Sequence, residues 1–212
     1  MKLEEAYKLG SALVKDMQPF CERIEIAGSI RRKKASDIKD LEIVAIPKWE
    51  NREPETFDGL FQISKPAPVN LLYGWAMKQE SVQWIKPGVS EIVEWPVSPE
   101  GKYWRGLTRF AEGSNHIKLD LFLCTPENWG VIFLIRTGSA DFSRELVTYA
   151  RDCTSYRIDK GFLKQNPAHS DFDSPIPCRE EADIFARLGL EYVEPERRID
   201  GRDVIPLAGT PK

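Results

Sequence analysis

Leu3, Ala6, Tyr7, Leu9, Leu13 and Val14 recur at three- and four-residue spacings with Lys and Glu between them. That period predicts an amphipathic helix that ends before Pro19 and backs a sheet. Arg23-Ile24-Glu25-Ile26-Ala27 then alternates as a strand does and stops at Gly28-Ser29, after which Arg31-Arg32-Lys33-Lys34 opens a strongly basic turn. A second strand follows over 41–46, closed by Pro47. From 49 to about 100, Pro54, Pro66, Pro68 and Pro87 punctuate the chain, leaving one helix around 69–78 and a short strand near 91–95. Regularity returns with strands over 103–110 and 116–124 around Glu112-Gly113-Ser114-Asn115, which is the pattern of a hairpin. Past Pro126, an apolar helix is expected over 129–136, broken by Thr137-Gly138-Ser139. Helical spacing resumes over 142–152, and a short helix follows near 182–188. No repeat or low-complexity tract is present. The seam falls near Thr125-Pro126, dividing an α+β unit at 1–125, with an unassigned insert at about 49–101, from a smaller unit at 126–212.

Composition narrows the chemistry. Among the 212 residues, 30 Lys+Arg against 33 Asp+Glu leave a net charge of -3, so any nucleic-acid surface must be local. The first residues are too acidic for a signal peptide, and Val131-Ile132-Phe133-Leu134-Ile135 is too short to span a bilayer. An intracellular chain with no membrane partner is expected. The four cysteines form no C-x-x-C pair, which argues against structural zinc and a disulfide scaffold. With only His116 and His169, a site of several histidines is excluded within one chain. A bound metal would instead be hard and held by carboxylates, as Mg²⁺ is.

Asp40 and Glu42 supply such carboxylates. Two apart on a strand, they leave one face while Leu41 enters the other. Like charges so placed repel unless a cation lies between them. Asp120, in Lys118-Leu119-Asp120-Leu121, occupies an equivalent place on a strand that could lie beside the first. Three such carboxylates suit two Mg²⁺ ions about 3.5–4 Å apart, the clamp used in phosphoryl transfer. A lone D-x-E facing water is the plainer alternative. Its neighbour Gly28-Ser29-Ile30-Arg31-Arg32 changes that balance, because glycine admits close backbone approach and arginine grips phosphate in a fork. It lacks the pattern of a Walker loop.

Together, Gly28-Ser29-Ile30-Arg31-Arg32, Asp40-Leu41-Glu42 and Asp120 resemble the nucleotidyltransferase palm of the polymerase beta superfamily, specifically family X DNA polymerases. Gly130 to Ser139, ending in Thr-Gly-Ser, is similar to that family's nucleotide-binding segment. The stretch from Glu181 to Leu190, with Pro195-Glu196-Arg197, is similar to the close of its last subdomain. The resemblance covers about 1–48 and 102–200. It implies a palm with a mixed β-sheet flanked by helices, followed by a small α/β thumb-like subdomain. It further implies Asp40, Glu42 and Asp120 as catalytic ligands of two Mg²⁺ ions, with Mn²⁺ a possible substitute and Asp120 beside a primer 3′-hydroxyl. Gly28, Ser29 and Arg32 would hold the phosphates of a dNTP, and Gly138 and Ser139 would border its sugar and base above Phe142. Lys118, where the family usually has Arg, would tune Asp120.

Departures are visible. Glu42 replaces the usual second Asp, Ile135-Arg136 replaces an aromatic pair, and Ser143 and Val147 stand where an Asn and an Arg commonly read the nascent pair and the template. The few residues before Leu3 leave no room for the family's N-terminal helix-hairpin-helix domain, so lyase activity is not expected. The resemblance implies a monomeric DNA polymerase acting on dNTP and primer-template DNA, in short-gap filling or repair synthesis. The alternatives are a template-independent nucleotidyltransferase acting on DNA ends, RNA or a small acceptor, and a silent nucleic-acid-binding module, to which a repulsive carboxylate triad would be of little use.

Overall fold

In the computed structural model, residues 1–35, 37–52, 67–88, 94, 97–109, 116–167 and 173–209 are described. Helix α1 (Leu3–Met17) buries Ala6, Gly10, Leu13 and Met17 on one stripe. It leads through a short 3₁₀ turn into strand β1 (Cys21–Ile26), the one-turn helix α2 (Gly28–Arg31) and strand β2 (Asp40–Pro47). Strands β3 (Trp49–Arg52) and β4 (Ala67–Asn70) pair with each other, and helix α3 (Leu71–Ala76) follows, capped where Asn70 accepts from the Tyr73 amide. Strands β5 (Val82–Ile85), β6 (Tyr103–Arg109) and β7 (His116–Leu123) complete the sheet, whose order is β1-β2-β7-β6-β5. The β2–β7 pair is parallel and the other neighbours are antiparallel, giving the mixed sheet flanked by helices.

The period of two sorts side chains between two cores. Leu41 and Ile43 on β2, with Leu119 and Leu121 on β7, enter a core shared with α1 and α3. Val44 and Ile46, with Phe122, face the other side and pack under Trp129 and Phe133. Those two aromatics belong to helix α4 (Trp129–Thr137). Asp40 and Glu42 continue this second face beyond the point that α4 covers, so they open into a cleft rather than into a core.

Behind α4, helix α5 (Ala140–Cys153) starts at Ser139, whose hydroxyl accepts from the Phe142 amide. Strands β8 (Tyr156–Asp159), β9 (Phe162–Gln165) and β10 (Pro175–Ile176) form a small antiparallel sheet, and helix α6 (Glu181–Leu188) packs on α4. Lys160 and Gly161, both at positive φ, form the two-residue β8–β9 turn. A Cβ at Gly161 would lie 2.7 Å from Ile132, so the tip of the hairpin rests on α4.

The sequence pattern agrees with most of this order and differs in places. The 28–34 segment is helical at its start rather than an open turn. The helix expected over 69–78 spans only Leu71–Ala76, because residues 67–70 pair as β4. The small sheet of the C-terminal part was not anticipated, its strands being short. The turn at Glu112–Asn115 lies outside the described residues, as does most of the strand expected near 91–95. Trp75, Trp104 and Trp129 are buried in cores, whereas Trp49 is exposed. No helix among the described residues is long and apolar enough to cross a membrane.

A buried ionic strut ties the two parts together. Glu181 accepts two hydrogen bonds from Arg31, at 2.7 and 2.8 Å, and two from Arg198, at 2.6 and 3.2 Å. Arg198 is 0% exposed and also donates to the Val193 carbonyl at 2.8 Å. Burial alone would raise the Glu181 carboxyl, but the two guanidiniums outweigh it and hold it below the ordinary carboxylate range. A carboxyl depressed in the folded state contributes stability that is present above its unfolded pKa and is lost as pH falls through its folded value. Removing one partner from a buried pair costs about 3–5 kcal/mol. Glu181→Ala is therefore expected to lower Tm sharply at pH 7, with the deficit narrowing in acid. Coincident melts of the two proteins at pH 7 would contradict the strut.

Candidate active site

Parallel pairing of β2 with β7 sets Glu42 directly opposite Asp120 and Asp40 opposite Lys118. The three carboxylates thus share one face of adjoining strands. Burial pushes Glu42 up to about 7, with the charges of Asp40 and Asp120 adding to the effect and Arg136 and Arg32 opposing it. Asp40 is raised too, by burial and then by Asp120, against Lys118, Arg105 and Arg32.

Gly28 fits against this face. Its φ is +63°, and a Cβ there would stand 2.0 Å from Glu42 Oε2. The preceding Ala27 amide donates to the Glu42 carbonyl at 2.8 Å, locking the start of α2 onto β2. Arg32, which caps the end of α2, donates to the Thr137 carbonyl. Burial lowers its pKa, while Glu42 and Asp40 favour its charge.

A cleft of about 400 Å³ lies between the sheet edge and the α4–α5 corner. Ser29, Arg32, Lys34, Lys39, Asp40 and Glu42 line one side, and Arg136, Gly138, Ser139 and Ser143 the other. It is bipolar, with guanidinium and ammonium groups facing carboxylates, as a site for a polyanion carried with cations requires.

Not every expected site residue lines that cleft. Gly28 and Asp120 adjoin it through Glu42, and Lys118 is exposed and opposite Asp40, so its charge acts on Asp40. The cationic partner of Asp120 is instead Arg105, with Nε to Oδ1 at 2.7 Å and Nη2 to Oδ2 at 3.1 Å, and the Tyr103 hydroxyl also donates to Oδ1 at 2.6 Å. Ser139 reaches the cleft but its hydroxyl caps α5 and donates to the Ile199 carbonyl. A Cβ at Gly138 would meet Phe142 at 2.6 Å, so this glycine serves packing on the buried Phe142 ring. Among the described residues, no group of three or more His, Cys, Asp or Glu side chains forms a ready-made cation cage.

Several basic residues are committed to carboxylates within the chain. Arg31 is bound to Glu181, Lys33 to Glu196 at 2.6 Å, and Arg105 to Asp120. Arg144 and Arg151 pair with Asp141 and Asp152. Arg105 was the residue the sequence concealed most, although hairpin register carries the signal: Arg105 stands opposite Asp120 across β6–β7.

The C-terminal part answers to a known family model. Residues 132–199 match the DNA polymerase beta thumb. The chain is also 34% identical over 86 residues to the DNA nucleotidylexotransferase of Ambystoma mexicanum, 39% of this chain and 15% of that protein. It is 32% identical over 103 residues to the DNA nucleotidylexotransferase of Homo sapiens, and 31% over 103 residues to that of Bos taurus, in each case 47% of this chain and 17% of the relative. These likenesses, over parts of the chain, are to family X polymerases. The aligned stretches cover about a sixth of those relatives' own length. The segment similar to the thumb begins within α4 and includes α5 and α6, so the α4–α5 corner of the cleft lies in it and the carboxylate face lies on the sheet.

The electrostatics give two expectations. A carboxyl whose pKa is raised in the folded state costs stability as pH rises from the ordinary glutamate range through about 7. Glu42→Gln is thus expected to raise Tm at pH 8, with the gain vanishing near pH 5, in thermal melts without divalent cations; a gain independent of pH would contradict the assignment. Gly28→Ala is expected to destabilise, since it adds both left-handed strain and a collision with Glu42, typically by more than about 1 kcal/mol. Unchanged chemical denaturation would show that Glu42 does not press on position 28.

Proposed function

We propose that this chain is a metal-dependent nucleotidyltransferase that adds dNTPs to a DNA 3′-hydroxyl with release of pyrophosphate. The observation that carries this reading is one cleft presenting Ser29, Arg32, Asp40 and Glu42 opposite a thumb that supplies Arg136 and Gly138. In this reading Ser29 and Arg32 grip the β- and γ-phosphates, and Lys34 and Lys39 neutralise charge at the mouth. Asp40, Glu42 and Asp120 fit hard divalent cations by donor chemistry: all are carboxylates on adjoining strands, and burial together with mutual repulsion raises Glu42 and Asp40. These three residues would hold Mg²⁺, or Mn²⁺ in its place, as two ions. Such ions supply Lewis acidity, making the 3′-hydroxyl more acidic and stabilising the pyrophosphate leaving group. In this reading Asp120 would face the primer 3′-hydroxyl, and Gly138 would leave the backbone of the 132–199 segment beside the sugar. Short-gap filling or repair synthesis by a monomer on primer-template DNA is the leading use.

A second reading is template-independent addition to DNA ends. The three relatives named above are DNA nucleotidylexotransferases. In this chain, Ser143 turns its hydroxyl back to the Ile135 carbonyl at 2.9 Å instead of offering it to a base pair.

Extension of a labelled primer, with and without template and with dNTPs or NTPs in Mg²⁺ or Mn²⁺, separates the readings. Templated addition that falls by at least about 10³-fold in Asp40→Ala is expected. Addition regardless of template would favour the second reading, and addition at full rate by Asp40→Ala would overturn both.

A further inference from the structure

Glu42, Asp120 and Arg105 lie side by side on β2, β7 and β6, each directly opposite the next, so Asp120 stands between a carboxylate and a guanidinium. Its side chain is committed to the β6 side. Arg105 spans both oxygens in a fork, at 2.7 and 3.1 Å, and the Tyr103 hydroxyl adds a third donor at 2.6 Å to Oδ1. A carboxylate offers about four lone-pair directions, two on each oxygen. Both on Oδ1 are therefore filled, and one remains on Oδ2. The fork is half-buried, where a charge-assisted bidentate pair is strong. Tyr103 is fixed in turn by stacking on Phe122, with ring centroids 4.9 Å apart. Among the described residues, Asp40 and Glu42 have no such fork; the cations that act on them do so across space.

We propose that Arg105, seated by Tyr103, is a latch on Asp120: it draws this carboxylate toward β6 and competes with a divalent cation for it. Asp40 and Glu42 then form the open part of the set, and Asp120 joins it only when the fork lets go. Arg105 is thus a positioning residue that sets how tightly the third carboxylate can engage a cation. This rests on the reading of the three carboxylates as a cation site.

Mn²⁺ binding to the purified chain, followed by the loss of the free-ion paramagnetic resonance signal, tests the latch without any turnover. Wild type, Arg105→Leu, Arg105→Lys, Tyr103→Phe, Asp120→Asn and Asp40→Asn are compared, each checked for folding by circular dichroism. Arg105→Leu is expected to bind Mn²⁺ on the order of tenfold more tightly, the worth of a lost charged hydrogen-bond pair. Arg105→Lys, which keeps the charge and loses the fork, should gain part of that. Tyr103→Phe is the mild variant and should gain a few-fold. In the double variant Arg105→Leu/Asp120→Asn, the tightening should disappear. Equal or weaker binding by Arg105→Leu, or a gain that survives Asp120→Asn, overturns the latch while leaving the cation site standing. Wild-type binding no tighter than that of Asp40→Asn removes the cation site, and the latch with it.

Discussion

Three carboxylates on one face of two paired strands cannot all be ionised and close without compensation, and this repulsion organises the molecule around it. Parallel register makes the contact unavoidable, since it sets Glu42 against Asp120 with Asp40 one repeat away. The protein balances the charge from three directions. Arg105 takes Asp120, Lys118 stands opposite Asp40, and Arg32 and Arg136 reach toward Glu42. Burial, with the charges of Asp40 and Asp120 adding to it, still pushes the pKa of Glu42 up to about 7.

Geometry at the cleft follows from how the two parts of the chain are fastened. Arg31 and Arg32 are adjacent at the end of α2 yet point to different tasks. Arg31 enters the buried strut with Glu181 and Arg198, while Arg32 lines the cleft and donates to the Thr137 carbonyl. The strut fixes where α4 and α6 sit relative to the sheet. That placement determines whether Arg136, Gly138 and Ser143 face the carboxylates. Structural and chemical uses of neighbouring arginines are thereby divided along four residues of helix.

Much of this was legible in the sequence, and the exceptions have a common cause. Helices α1, α4, α5 and α6 show through their apolar spacing, and β2 shows through alternation, because those signals are local. The carboxylate pair follows from the same period of two. Strands β8, β9 and β10 are four residues or fewer and half-buried, too short for alternation to register. Edge strand β5 completes the sheet from a stretch that proline seemed to rule out. The roles of Arg105 and Arg31 depend on partners 15 and 150 positions away, which no local pattern encodes. Basic residues that look alike in sequence are sorted only by what they meet: Arg31 and Arg105 are spent inside the protein, while Arg32, Lys34 and Lys39 remain on the cleft.

The central claim is that this cleft holds a nucleoside triphosphate between the carboxylate face and the thumb. The most direct measurement is a crystal structure grown with a non-hydrolysable dNTP analogue and Mn²⁺, with anomalous data collected to locate the metal. The account predicts the triphosphate against Ser29 and Arg32 and an anomalous peak between Asp40 and Glu42. A triphosphate bound elsewhere on the chain, or Mn²⁺ density away from both carboxylates, would contradict it.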